Sequence, residues 1–251
     1  MNDKYNIVWF DALASTQSFM EENSNNLQQK EWNVVATSNQ EQGRGQGKNK
    51  WESKKGKNLA FSLCLMPEFI SVERQFVLTQ LYSLGICDML SNYIDEKTVK
   101  IKWPNDIYIG TNKICGMLVT NKIIGANICS SISGIGINVN QTEFSYAPNP
   151  TSIKIEREKK EDISIQEVLN LSLQSIDLRY QRLKKEGIDA YKNEYMQRLL
   201  YYNEWKKYQL LSGEEIEAKI IDVNEYGYLI LQKRDVKVLS FELKEIKFLH
   251  R

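Results

Sequence analysis

The longest stretch of this chain without a charged side chain, residues 123–142, constrains its fold more than any other feature. A run of that length is about enough to span a bilayer as a helix. It contains Asn127, Ser130, Ser131, Ser133, Asn138 and three glycines, however, and so reads as buried strands. Within it, the alternation GIGINVN places Ile135, Ile137 and Val139 on one side and Gly136, Asn138 and Asn140 on the other. A strand with glycine and amides on its open side suits a ligand lying flat against a sheet, and suits equally a strand weakened by glycine at a bulge.

Further strand character appears at 33–37, 59–65, 99–103 and 114–119, and helical periodicity at three places. A helix is expected from Ser15 or Thr16 toward Gln29. A second runs from 71 to 94, with Val72, Phe76, Val77, Leu81, Leu84 and Leu90 near one face. A third opens on the capping box Ser164/Glu167 and stops at Gly187, and a short one follows over 189–200. Strands grouped before and after one long helix predict an α+β fold, a mixed β-sheet with helices on one face. From Glu204 the pattern becomes short strands at 215–223, 228–231 and 236–241, with turns at 224–227 and 233–235. The expected division is 1–203 and a small all-β domain over 204–251. The charge-rich run 154–162 reads as a solvated loop.

The balance of 33 basic and 32 acidic residues argues against a chain that coats nucleic acid or anionic membrane. The four cysteines, Cys64, Cys87, Cys115 and Cys129, are scattered, and the single histidine is His250, so zinc frameworks and Ser/His/Asp chemistry are not expected. The N-terminal residues lack the pattern of a secretory leader. Reduced cysteines in a cytoplasm fit this composition.

Two loops carry chemistry. Residues 42–57, QGRGQGKNKWESKKGK, hold six basic residues, one acid, four glycines and Trp51, a set suited to a phosphate-bearing ligand with a flat base, or to a plain solvated turn. The spacing is not that of a Walker loop. KWPND, residues 102–106, precedes KICG at 113–116. Pro104 fixes the chain at a strand end, so Asn105 and Asp106 project at the sheet edge, where Asp106 suits magnesium and Lys113 a phosphate or carboxylate. A strand–turn–strand hairpin with Trp103 in the core is the alternative. Cys115 reads as a small buried residue rather than a nucleophile.

The motifs STQ (Ser15–Gln17), GRG followed by Trp51, KWPND, K-I-x-G (Lys113–Gly116) and GIGIN, in this order, resemble the biotin protein ligase family over nearly the whole chain. The resemblance implies a class II aminoacyl-tRNA synthetase-like catalytic domain with an SH3-like β-barrel at its C-terminal end. It also implies a two-step reaction, in which ATP and biotin, with Mg2+, form biotinoyl-5'-AMP, and a lysine of a biotin carboxyl carrier protein displaces AMP. Carried over residue by residue, Ser15, Thr16, Gln17 and Gln40 surround the biotin ureido ring. Gly43 and Arg44 belong to the loop closing on biotin and adenylate, Lys113 is the catalytic lysine with Arg44 beside it, and Gly116 lets the ligand pack on its strand. Trp51, Lys102, Asn105 and Asn138 serve the nucleotide, and Asp106 its metal.

Where many relatives carry a second arginine after GRG, this chain has Gln46, Gly47 and Lys48, which implies either a looser hold on the adenylate or Lys48 in the arginine's place. The STQ begins at Ser15, leaving no room for the winged helix-turn-helix of the ligases that also act as repressors. A ligase without DNA partner or membrane, monomer or homodimer in the cytoplasm, is therefore expected. The rivals are a lipoate or octanoate ligase or transferase of the same fold, for which Cys115 is the acyl-carrier candidate, and a nucleic-acid-binding module. The equal charge of the C-terminal segment counts against the latter.

Overall fold

The apolar runs sort into two sheets. The computed structural model describes residues 4–23, 30–43, 45, 47, 51–157 and 161–249. The chain opens with β1 (Asn6–Phe10), α1 (Thr16–Glu22), β2 (Asn33–Thr37), β3 (Leu59–Leu65) and α2 (Phe76–Leu90). The strands β4 (Val99–Lys102), β5 (Asp106–Ile109), β6 (Asn112–Ile124) and β7 (Asn127–Ile137) follow. Next come α3 (Ile153–Glu156), α4 (Ile165–Glu186) and α5 (Lys192–Arg198), then β8 (Trp205–Leu210), β9 (Glu215–Val223), β10 (Leu229–Lys233), β11 (Val238–Phe241) and β12 (Ile246–Phe248).

The first seven strands form one mixed sheet in the order β1-β2-β3-β7-β6-β5-β4. Only the β1–β2 pair is parallel. The uncharged run 123–142 is the end of β6, a tight turn with Gly125 at φ 64°, one long strand, β7, and the first residues after it. Pairing of β6 with β7 satisfies its backbone groups, and among the described residues no helix is long and apolar enough to cross a membrane.

Strand alternation gives the sheet two different faces. Leu59, Phe61, Leu63 and Leu65 of β3 join Ile135 and Ile137 of β7 in the main core, covered by α2 and α4. The intervening Cys64 turns the other way, with Val35 and Ile132, and meets Met20 of α1 in a smaller cluster. The two long helices thus share one face, and the short α1 lies on the other, beside the open part of the sheet.

The expected one-sided helix at 71–94 is instead α2, buried everywhere except Thr79 and Asp88. It packs against both the sheet and α4. A Cβ at Gly85 would lie 2.9 Å from Ile176 Cγ1, so that glycine permits the close crossing with α4. The capping box forms in half: Ser164 accepts from the Glu167 amide at 3.2 Å, while Glu167 Oε1 receives the Tyr93 hydroxyl. Gly187, at φ 88°, ends the helix. Ser164→Ala is expected to lower stability by about 1 kcal/mol, read as a lower urea midpoint with unchanged slope. The charged run expected as a loop begins instead inside α3, and its Asp162 joins Lys57 at 2.7 Å and Lys154 at 2.6 Å. Both ammoniums hold the Asp162 carboxyl down at about 2.

The remaining five strands make an antiparallel sheet ordered β11-β10-β9-β8-β12. Its β9–β10 turn docks on the first sheet. Gly227, at φ 89°, lies against the Phe76 ring, and its carbonyl accepts from Trp103 Nε1 at 2.9 Å. Arg74 pairs with Glu225 and Asp189, and Lys192 with Asp222 at 3.1 Å, around the same junction.

Candidate active site

The open face of the first sheet carries a floor without side chains. Register sets Gly116 of β6 opposite Gly136 of β7, and Gly134 opposite Ser62 of β3. The Trp51 indole lies on the first pair: a Cβ would stand 2.6 Å from its Cε2 at Gly136 and 3.0 Å from its Cζ3 at Gly116. Any side chain at Gly136 would displace the ring. Trp51 is held by its own amide, which donates to the Gly43 carbonyl at 2.9 Å, and its Nε1 is buried without an acceptor among the described residues.

Lys113 stands beside this ring, Nζ 5.8 Å from the indole centroid and 2.6 Å from Asp106 Oδ2. The Lys113 backbone is fixed on both sides by the next loop, its amide donating to Asn149 O at 2.7 Å and its carbonyl accepting from Thr151 N at 2.9 Å. Asp106 opens β5 opposite Lys102, so KWPND is the bend between β4 and β5, with the Trp103–Pro104 bond cis. Trp103 is buried, as the hairpin alternative expected, while Asn105 and Asp106 stay at the surface of a cavity.

That cavity, about 630 Å³, is walled by both sheets. Trp51, Lys113, Gly116 and Asn105 line one side, and Tyr228 and Lys247 the other. Lys102 Nζ reaches over the Tyr108 and Phe248 rings, at 5.2 and 5.4 Å. Burial holds its ammonium below the ordinary lysine range, against the pull of Asp106 and with the help of Lys113 and Lys247.

On the far side of Gly134 sits a buried polar group. Gln40 Oε1 accepts from the Thr16 amide at 2.9 Å and the Thr16 hydroxyl at 3.3 Å; Ser62 Oγ bonds Thr16 Oγ1 at 2.9 Å. Gln17 lies over Gly134 and donates to Thr120 and Glu21. Ser15 is the N-cap of α1, accepting from the Ser18 amide at 3.3 Å.

The structure therefore brings together Thr16, Gln17, Gln40, Gly43, Trp51, Lys102, Asn105, Asp106, Lys113 and Gly116. Asn138 stands apart: it is buried, and its Nδ2 donates to Thr151 O at 2.9 Å, tying the end of β7 to the loop that fixes Lys113. Arg44, with Gln46 and Lys48, lies outside the described residues. Asp106 is a single carboxylate already paired with Lys113, and among the described residues no three Asp, Glu, His or Cys side chains gather to hold a metal. A magnesium ion is usually held by one or two carboxylates together with substrate phosphates, so Asp106 would hold it only with the nucleotide in place and the Lys113 ion pair given up. Cys115 is fully buried in the main core, on the face away from the site, and burial raises its thiol well above the ordinary value. An acyl-carrier thiol needs access and an ionised sulfur, and Cys115 has neither.

Ser62, Thr120, Glu21 and Glu52 were not anticipated. Glu52, next to Trp51, accepts the amides of Ser145, Tyr146 and Ala147 at 2.7, 2.9 and 2.9 Å. It thereby joins the Trp51 loop to the segment that continues to Asn149 and Thr151. Desolvation raises its carboxyl, but the three amides outweigh it and hold it below the ordinary glutamate value. With the folded value depressed, the anchor is fully present above the unfolded value and lost as pH falls through the folded one. The stability difference between wild type and Glu52→Ala, about 1 kcal/mol for a solvent-screened anchor, is expected at neutral pH and should vanish on acidification. A pH-independent difference in parallel urea titrations would contradict this.

The family model described as the biotin/lipoate A/B protein ligase family matches residues 9–138. The biotin protein ligase of Aquifex aeolicus, solved in complex with biotin and ATP, superposes with a TM-score of 0.76 at 25% identity, covering 98% of this chain and 99% of that one. The bifunctional ligase/repressor BirA of Bacillus subtilis is 29% identical over 223 residues, 88% of this chain and 65% of the relative. Biotin–protein ligase 1 of Arabidopsis thaliana is 26% identical over 242 residues, 89% of this chain and 61% of the relative. The chain thus spans just under two thirds of the length of these two relatives.

Proposed function

The chain belongs to the biotin/lipoate A/B protein ligase family, and from that premise we propose that it ligates biotin, driven by ATP, to a specific lysine of a biotin carboxyl carrier domain. The observation that carries the reading is the position of Lys113. Its ammonium stands beside the Trp51 ring and Gly116 of the glycine floor and lines the large cavity between the sheets.

The biotin ring is held at Thr16, Gln17 and Gln40, where amides and hydroxyls supply both donors and acceptors, and its chain runs past the Trp51 ring, which covers Gly136 and Gly116. Its carboxylate reaches Lys113. ATP enters the cavity, its phosphates toward Lys113 and Lys102. In the first step a carboxylate oxygen attacks the α-phosphate, the bond to the β-phosphate breaks, and pyrophosphate leaves. Two anions must meet for this, and Lys113, exchanging its ion pair with Asp106 for the ligand oxygens, neutralises the charge that builds between them. Trp51 and the Gly43 loop keep water from the mixed anhydride. In the second step the neutral amine of the acceptor lysine attacks the acyl carbon, AMP leaves with the anhydride oxygen, and the amine loses its proton. No enzyme nucleophile is needed.

Residues 1–203 act as the catalytic unit and 204–251 as a wall of the nucleotide cavity. The protein acts in the cytoplasm, where its cysteines stay reduced. The test is ATP–pyrophosphate exchange with biotin, lipoate or octanoate in separate reactions. Exchange with biotin alone is expected; exchange with lipoate or octanoate instead would overturn the substrate while keeping the family.

A further inference from the structure

Gln17 is 4% exposed, so both ends of its amide must be satisfied by the protein or by a ligand. Its Nε2 donates to Glu21 Oε1 at 2.8 Å and to Thr120 Oγ1 at 3.2 Å. A carboxylate only accepts, so Glu21, one helical turn further along α1, admits a single orientation of the Gln17 amide. Nε2 faces Glu21, and Oε1 faces the floor, 2.5 Å from where a Cβ would stand on Gly134.

Among the described residues the hydrogen bond to that Oε1 is a long one, 3.5 Å from Ser62 Oγ. Ser62 has one proton and a nearer partner, Thr16 Oγ1 at 2.9 Å. Thr16 passes its own hydroxyl proton to Gln40 Oε1, which also holds the Thr16 amide. With Gln40 Oε1 filled, the Gln40 Nε2 donor is the end turned toward Gly43, 3.0 Å from the place of a Cβ there. The pocket is therefore left with one polarised pair, an acceptor on Gln17 and a donor on Gln40.

We infer that Glu21 is a specificity-determining positioning residue: by holding Gln17 Oε1 as an acceptor at one end of the Ser62–Thr16 hydroxyl chain that ends on Gln40, it makes the site complementary to a cyclic urea. A urea offers N–H and C=O on neighbouring atoms. A dithiolane or a plain acyl chain offers neither and would leave both amides buried and unpaired, the situation that gives polar pockets their strongest discrimination. Without Glu21 the Gln17 amide can turn over, since the Thr120 hydroxyl donates as readily as it accepts. Half of the pocket would then present a donor to a donor.

The inference rests on biotin being the acid activated, and the experiment separates the two. Exchange kinetics of wild type, Glu21→Leu and Glu21→Gln would be measured against biotin and against ATP. The expected result is a rise in the biotin KM of about tenfold in Glu21→Leu, one lost hydrogen bond's equivalent, with kcat and the ATP KM within twofold. Glu21→Gln, which keeps an acceptor oxygen, should fall between. A biotin KM unchanged in Glu21→Leu would overturn the inference, as would a joint loss of kcat and both KM values, which marks a structural role. Wild type that exchanges pyrophosphate with no biotin dependence would overturn the functional reading and this inference with it.

Discussion

Replacing Lys113 with alanine should cut biotin-dependent pyrophosphate exchange by two to three orders of magnitude while leaving the thermal midpoint nearly unchanged. The loss follows from what the ammonium does when two anions meet. Removing one preorganised group that stabilises developing charge typically costs about 3–4 kcal/mol of barrier, and no other described cation stands between the Trp51 ring and Asp106. The charge is also in place before substrate arrives, because Asp106 at 2.6 Å holds Nζ at the mouth of the cavity. Most of the loss should therefore fall on kcat, with smaller changes in KM.

Stability should survive because the position is anchored through backbone. The Asn149 and Thr151 bonds to Lys113 do not use its side chain. The partner left behind, Asp106, has a side chain 31% exposed and regains water. Lys113→Arg keeps the charge but replaces a compact ammonium by a planar fork on a longer stem, and should recover only part of the rate. A Lys113→Ala enzyme within tenfold of wild type would show that the glycine floor and the second sheet perform the chemistry without this lysine.

How much of this was legible beforehand depended on whether the information was local. The strands at Asn33–Thr37, Leu59–Leu65 and Glu215–Val223 fall where the sequence placed them, because apolar and β-branched residues sit there between turn signals. β5 and β12 are four and three residues long, and β8 carries two adjacent lysines; each is a strand only because a neighbour supplies its hydrogen bonds. The one-faced reading of α2 failed for a related reason, since periodicity describes a helix with one wet side, and this helix is covered by the sheet, α4 and α5.

The site divides in the same way. Lys113, Gly116, Trp51 and the Thr16–Gln17 pair stood out as motifs. Ser62, Thr120 and Glu21 are spread over three elements and meet only through the register of β3, β7 and β6 and the docking of α1. One signal was available: Ser62 is a lone hydroxyl in the middle of the apolar strand LAFSLCL, where a side chain of that kind needs a partner. Asn138, expected at the nucleotide, spends its Nδ2 on the Thr151 carbonyl, while its buried Oδ1 has no partner among the described residues.

The second sheet was legible as a small β domain, but its tie to the chemistry was not, and that tie predicts the second large effect. Gly227→Ala should lower stability by about 3 kcal/mol and raise the ATP KM at least tenfold. Three terms act at one residue. A backbone at φ 89° strains any residue with a Cβ. The new methyl would run into the Phe76 ring at the start of α2. Relieving that clash moves the Gly227 carbonyl away from Trp103 Nε1, and Trp103 opens the bend that presents Asn105 and Asp106. Displacing the turn also withdraws Tyr228 from the cavity wall. Trp103→Phe tests the last link, because it deletes the donor and keeps an aromatic ring. It should cost about 1–2 kcal/mol for the carbonyl left unpaired, with a further loss for the volume of the missing half of the indole, and reproduce part of the KM change without the clash at Phe76. Urea titration and exchange kinetics on both variants would decide the matter. If stability falls while the ATP KM stays put, the β9–β10 turn braces the two sheets without positioning the nucleotide.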